Sequence, residues 1–271
     1  MRNNADFYYT ITTPRGILEA RPLSEMDIDA AAGILVCVTK SNYKEILGIG
    51  CEGSYAKSGA LLETDRSTIE QFVCMDQFQT CGIWSQDGEM LAWIAGQTGG
   101  AQARFFKCKE NFFFEPGCGD VWQGWQEAIQ KGTIVADSYM MVKHPAQYPH
   151  LGLILLAAWS RVLLEMGIMI GVSELDCICA CIDADGTHEL NIDNKASLFN
   201  FMFMGHRVVA KTVCDRIKVD EDITVKCVSS VFEGSIPETN RRIQTVMERM
   251  NIHIEAICNE SQKSELCSVT F

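Results

Sequence analysis

Basic residues are scarce in this chain of 271 residues: 23 Lys and Arg stand against 35 Asp and Glu, a net charge of −12. Nucleic-acid binding draws its affinity from Lys and Arg neutralising phosphates, so this deficit argues against such a partner. Long uninterrupted apolar runs are also lacking. The longest candidate, Leu151 to Val172, is broken by Arg161 and Glu165, which argues against a membrane span. The amino-terminal residues Met1-Arg2-Asn3-Asn4-Ala5-Asp6 lack the apolar core of a signal peptide, and a cytoplasmic location is the expectation. The five histidines show no metal-ligand spacing, and no GxxxxGK nucleotide loop occurs. Asp183, Asp185 and Gly186 imitate the start of a calcium loop without its downstream ligands. They read as turn residues, and no metal is expected. Repeats and low-complexity tracts are missing.

What is present is ordinary for a soluble protein with a sizeable core: 47% apolar and 21% charged residues. An acidic surface suits encounter with cationic or amine-bearing molecules. Thirteen cysteines leave two readings, disulfides in a secreted chain or reduced and mostly buried thiols; the lack of a leader favours the second. Cys177, Cys179 and Cys181 alternate along one strand-like run. That spacing is unlike a zinc site and fits a row of small side chains on one core face.

Along the chain, a short polar leader precedes a first strand at Gly16 to Pro22. Ser24 offers an N-cap for a helix from Glu25 to Lys40, with Asp27 and Asp29 favouring its first turn. Residues 42–59 have no clear period, and Thr64 to Phe78 reads as helical. Cys81 to Gly96 reads as a hairpin turning at Gln86-Asp87-Gly88, since Asp-Gly is a strong turn signal. Residues 99–131 hold Phe105, Phe106, Phe112, Phe113, Phe114, Trp122 and Trp125. They serve either as a cover for a sheet or as a lid over a substrate pocket. Then come a buried strand at Thr133 to Val142, a helix at Leu151 to Met166, a strand at Leu175 to Ile182 and a polar loop. A helical segment, Asn194 to His206, leads to strands near Arg207 to Cys214 and Ile223 to Phe232. A final helix carries Ile243, Val246, Met247 and Met250 as one stripe for packing on the body. The sum is an α/β domain at 15–232, with the aromatic insertion 99–131, and a helical carboxyl-terminal extension at 233–271.

The turn Gln147-Tyr148-Pro149-His150-Leu151-Gly152 joins the carboxyl end of a strand to the amino end of a helix. Such a turn points unpaired N–H groups outward beside the positive end of the helix dipole, which suits an anion. It resembles the Gln/Arg-x-x-Gly-x-Gly/Ala pyrophosphate loop of the GNAT (GCN5-related) N-acetyltransferase superfamily, with His150 at the first glycine. Glycine accepts positive φ freely, and histidine does so at some strain. Asn194 to His206 is similar to the same family's Asn-x-x-Ala-x-x-x-Tyr-x-x-x-Gly-Phe stretch, with Gly205 placed to end a helix in the left-handed region.

The resemblance implies a mixed, mostly antiparallel sheet with splayed central parallel strands flanked by helices. It implies an acetyl-CoA-dependent N-acetyltransferase acting by direct attack of a primary amine in a ternary complex. The donor would be held by main-chain groups near Met140, Met141 and Val142, by the turn from Gln147, Tyr148, Pro149 and His150 to Leu151, Gly152 and Leu153, and by Asn194 and Phe201. One main-chain N–H would polarise the thioester carbonyl. Many relatives carry a tyrosine general acid at the position of Phe201, which has no proton to give. Tyr139, Tyr148 or His144 would then serve, or the thiolate leaves unaided, or activity is lost and the protein only binds an acyl-CoA. Asp137 is the carboxylate on the central strand and stands as general base or as a structural hydrogen-bonder. The partners expected are acetyl-CoA and an amine, small or protein-borne, on a monomer or homodimer.

Overall fold

The computed structural model describes residues 7–34, 39–49, 66–98, 106, 109–142, 148, 150–193 and 195–256, with backbone alone at 137–139, 141, 191–193, 195–197 and 213–217. Its centre is an eleven-stranded sheet. The first strand, β1 (Tyr9–Thr13), falls where the polar leader was expected. Tyr9 and Ile11 are buried and alternate with threonines, so the period of two outweighs the polar composition. β1 pairs antiparallel with β2 (Gly16–Arg21), and β2 with β3 (Phe78–Ser85). The expected hairpin joins β3 to β4 (Met90–Thr98) through a turn in which Gly88 takes φ 78°.

The first helical segment is a 3₁₀ turn at Glu25–Asp27 running into α1 (Ile28–Ile34). Ser24 and Asp27 make a reciprocal capping box there. Part of the span without a clear period is α2 (Tyr43–Leu47), which sets Ile46 and Leu47 against Ile178, Cys181 and Val225. The helix expected to reach Phe78 is α3 (Arg66–Cys74) and stops short, because a turn at Met75 to Phe78 leads directly into β3. α1 and α3 bury Ile69 and Phe72 against Trp84, Trp93 and Ala95 on one face of the sheet.

The aromatic insertion builds β5 (Phe112–Phe114) and α4 (Val121–Lys131). Trp125 is fully buried among Phe106, Phe112 and Phe114, and it covers Ile134, Ala136, Val172 and Val231. Its indole N–H donates to Glu233 at 2.7 Å. Among the described residues, the insertion is a cover for that face of the sheet.

The opposite face holds α5 (Leu151–Glu165) and α7 (Ile236–Arg249). α5 is apolar on nearly all sides because it lies between the sheet, at Ile83, Ala92 and Ile94, and α7, at Ile243 and Met247. The expected stripe on α7 packs inward, with Ile243 and Met247 buried and Val246 and Met250 half-buried. Arg161 and Glu165 of α5, the charges that break its apolar run, tie down the sheet's far edge. Glu165 accepts from the Tyr9 hydroxyl at 2.7 Å, and Arg161 donates to the Ile254 carbonyl at 2.9 Å. Ile254 belongs to β11 (His253–Ala256), which follows α7 and adds to β1.

β6 (Ile134–Val142) pairs antiparallel with β4 along its length. β7 spans Ile170–Asp183 and starts five residues before the expected strand. The apolar run through Leu151 to Val172 hid that boundary. Gly167, at φ 77°, marks it by closing α5 with a left-handed residue. The expected polar loop after residue 182 is β8 (Gly186–Asp193), folded back on β7. Asp183 accepts from the backbone N–H of Asp185 at 2.9 Å, so both aspartates shape that tight turn. Cys179 is an extra residue in β7 relative to β10 (Ile223–Ser235), where Cys227 faces Ile178 and Lys226 faces Ala180. The alternation from Cys177 to Cys181 is broken there, so the three cysteines do not form one row. After β8 come α6 (Lys195–Phe203) and β9 (Arg207–Asp220), the latter pairing with β10 and β5.

Replacing Trp125 with alanine should lower unfolding free energy by about 3–5 kcal/mol in urea titrations, as large aromatic deletions from a core do. A loss below about 1 kcal/mol would show that the insertion contributes little to the fold.

Candidate functional site

A strand edge can accept one partner at a time. β6 and β7 run parallel and pair at only three positions, Ile134 with Ile170, Val135 with Gly171 and Ala136 with Val172. Beyond them β7 follows β10, and from Cys177 onward its edge on the β6 side is taken by β8. β6 therefore runs on from residue 137 to 142 with β4 on one edge and, among the described residues, no strand on the other. Main-chain donors and acceptors on such an edge require partners. The two central strands splay, with the opening toward the carboxyl end of β6.

Within β6, Tyr139 faces Ala95 while Ala136 faces Gln97, so β6 carries one more residue than β4 in that interval. This bulge lies at Asp137 and Ser138. Met140 and Val142 are register partners of Ile94 and Ala92 and pack against the α5 core. Met141 and Tyr139 are register partners of Trp93 and Ala95.

The turn from β6 ends at α5. Gln147, Pro149 and His144 lie outside the described residues, as does Asn194. Tyr148, Leu153 and Phe201 join Met140 and Val142 against the same core, and Leu151 is buried within it. His150 is the N-cap of α5 at φ 68° and ψ 9°, the left-handed conformation that the missing glycine would take without strain. Its side chain makes no capping hydrogen bond. The first-turn N–H groups of Gly152 and Leu153 have no partner within the helix by its geometry. A Cβ added at Gly152 would lie 3.9 Å from Val142, which sets the start of α5 close to the end of β6.

α6 ends as expected, with Gly205 at φ 80° and the His206 N–H donating to the Phe201 carbonyl at 2.9 Å. Phe201 stacks on Phe232 at 4.7 Å and on the His206 ring at 5.6 Å. The imidazole lies on facing glycines of adjacent strands. A Cβ at Gly234 would stand 2.0 Å from it, and Gly171 is the register partner of Gly234. His206 Nε2 is 3.0 Å from Thr239 Oγ1, while buried Nδ1 has no partner among the described residues. Burial pushes the imidazole down to about 4.

On the other flank of the α5 amino end lies a cavity of about 470 Å³. The β1–β2 and β3–β4 turns wall it, with Tyr148, His150, Leu151 and Ile154 from the start of α5 and Met250 and Ile252 beyond α7. The sequence reading missed this space because β1, whose turn forms one wall, looked like a leader. Its signal was the alternating Tyr9-Thr10-Ile11-Thr12 run. Among the described residues, no group of three or more His, Cys, Asp or Glu side chains is placed to hold a metal, and no helix is long and apolar enough to cross a membrane.

No protein-family model and no curated protein matches the chain. Solved structures do. The ribosomal-protein-S18-alanine N-acetyltransferase of Escherichia coli is similar over 81% of this chain and 94% of its own, with 12% identity and a TM-score of 0.42. An N-acetyltransferase of Staphylococcus aureus Mu50 covers 81% of this chain and 98% of its own, with 13% identity and a TM-score of 0.42. A GNAT superfamily phosphinothricin acetyltransferase of Sinorhizobium meliloti, in complex with AcCoA, covers 80% and 86%, with 8% identity and a TM-score of 0.41.

Two outcomes are expected from this geometry. His150→Gly should raise stability by about 0.5–1 kcal/mol and His150→Val should lower it, because only the second adds strain at positive φ; urea midpoints measure both. His206 refuses a proton that the unfolded chain accepts below its ordinary value near 6.5. The His206 contribution to stability should therefore be lost as pH drops from 6.5 to about 4, a span on the order of 3 kcal/mol. In the His206→Phe variant the same series of denaturation curves should lose that slope.

Proposed function

We propose that the protein is an acetyl-CoA-dependent N-acetyltransferase of the GNAT type, acting on a primary amine. The observation that carries this reading is the parting of β6 from β7 after Ala136, with an open β6 edge leading to the amino end of α5. An extended pantetheine arm can pair with such an edge as an added strand does. A diphosphate can accept from the N–H groups at the start of α5, where the helix dipole also favours it.

In the reaction, the amine nitrogen attacks the thioester carbonyl carbon and a tetrahedral oxyanion forms. A main-chain N–H of β6, near Met140 to Val142, stabilises that oxyanion, a contribution worth about 3 kcal/mol of barrier. The C–S bond then breaks, the thiolate departs, the nitrogen releases its extra proton to water, and the acetyl group remains on nitrogen as an amide. The ammonium form of the substrate first gives up a proton, for which Asp137 is the candidate acceptor, directly or through water. Tyr139 is the candidate donor to the leaving sulfur, with Tyr148 and His144 as the other choices. A thiol titrates near 8.5, so the thiolate is also a tolerable leaving group without help. Holding two reactants in one cleft supplies much of the acceleration, and few side chains are demanded.

A second reading is a protein that binds acyl-CoA without turnover. Phe201 favours it, since its ring is committed to stacking on Phe232 and His206 and carries no proton to donate.

Calorimetry should show acetyl-CoA and desulfo-CoA binding with similar affinity, and thiol release in a panel of amines should identify an acceptor. Binding without turnover of any amine would support the second reading. Gly152→Asp should weaken acetyl-CoA binding by about 100-fold, because it sets a carboxylate against the diphosphate. The space around Gly152 lets the variant fold. Unchanged affinity would place the diphosphate elsewhere.

A further inference from the structure

Along one side of β7 the residues run Val172, Glu174, Asp176 and Ile178. The register with β10 is unbroken over this interval, so the four share a face. Val172 is covered from α4, in the cluster of Trp125, and Ile178 from α2, beside Ile46 and Leu47. Two carboxylates therefore stand in the middle of a central strand, between covered apolar residues. The reaction above uses neither.

Each is held by a hydroxyl. Thr212 donates to Glu174 at 2.8 Å, and Ser229, itself only 2% exposed, donates to Asp176. Asp176 is exposed, and among the described residues no cation pairs with it. The bond from Ser229 fixes one carboxylate oxygen and leaves the group further capacity to accept.

Its position ties Asp176 to the opening between β6 and β7. From Ser173 to Asp176 the edge of β7 on that side pairs with neither β6 nor β8. Val172 stands level with Ala136. Carried on along both strands, with the extra residue in β6 allowed for, that register sets Asp176 across the opening from Met140 and Met141. Main-chain groups there are the ones proposed to hold the thioester carbonyl.

We infer that Asp176 selects the acceptor by binding a second cationic nitrogen on it, so that the acceptor class is a diamine or polyamine. The inference rests on the donor reading above. Attack requires a neutral amine, and an anion held against the reacting nitrogen would keep its proton on. The same anion against a nitrogen that does not react binds the acceptor without hindering attack. In a chain of net charge −12, the approach of a dication is also favoured at long range.

The test compares diaminobutane with butylamine, which lacks the second nitrogen, by thiol release from acetyl-CoA on the full chain. Wild-type kcat/KM should favour the diamine about tenfold or more, and added salt should shrink the margin. Asp176→Asn should raise KM for the diamine about tenfold with kcat unchanged, and leave butylamine within about twofold. Asp176→Glu keeps the charge and should recover most of the preference. Unfolding midpoints check that both variants are folded. If acetyl-CoA binds without turnover, calorimetry with desulfo-CoA in place reads the same preference as affinity. A wild-type protein that binds acetyl-CoA and treats the two amines alike would overturn this inference and leave the donor reading standing. So would an Asp176→Asn variant that keeps the preference, or one that loses kcat for both amines, which sets the carboxylate on the reacting nitrogen. A wild-type protein that does not bind acetyl-CoA removes the donor reading, and this inference with it.

Discussion

One rule of β-structure shapes the middle of this molecule: each strand edge has a single row of hydrogen-bonding groups and accepts a single neighbour. β7 uses one edge for β10 along its whole length and divides the other between β6, for three residues, and β8, from Cys177 onward. The insertion of β8 means that β6 cannot close back on β7 without displacing a paired strand. The opening between them is a consequence of pairing and does not depend on any side chain in the cleft. The bulge at 137–138 in β6 acts at the same place, since bulges bend and twist the strand that carries them.

The helices are arranged so that this opening survives the drive to bury apolar surface. α5 and α7 cover the sheet over β3 and β4, and α4 covers the reverse face near Ile134, Ala136 and Val172. Both faces at the root of the splay are therefore packed, while the strand ends beyond it are left to diverge. His150 belongs to the same economy of position. Its left-handed backbone turns the chain from the end of β6 into α5 within a short reach, at some conformational strain.

Much of this was legible from the chain alone, for identifiable reasons. Asp87-Gly88 marked the β3–β4 turn, and Gly205 marked the end of α6. The stripe of Ile243 and Met247 gave the packing face of α7. Each is a local rule with a local signal. The misses came where tertiary pairing overrode composition. β1 is threonine-rich and looked polar, but Tyr9 and Ile11 are held inside by β2 and β11. β8 looked like a loop because Gly186 to Asp193 is polar, and it forms because β7 offers an edge and Gly186 a turn. The continuous apolar run from α5 into β7 concealed the boundary between them. For the site, the start of α5 was readable, whereas the splay and the cavity depend on which strands are absent from an edge, and no residue type encodes that.

The substitution of Phe201 can be weighed in the same terms. In the proposed reaction, the contacts that hold the donor and polarise its carbonyl come from backbone, so a change of side chain leaves them intact. What Phe201 removes is one proton donor to a sulfur whose conjugate acid titrates near 8.5, a leaving group that needs far less help than an alkoxide or an amide nitrogen. Its ring stacks on Phe232 and His206, beneath which Gly171 and Gly234 leave room for the imidazole. A tyrosine hydroxyl at this position would need a partner of its own once buried. In that proposed reaction the exchange would bear on the rate of thiolate departure and would leave the main-chain contacts to the donor untouched.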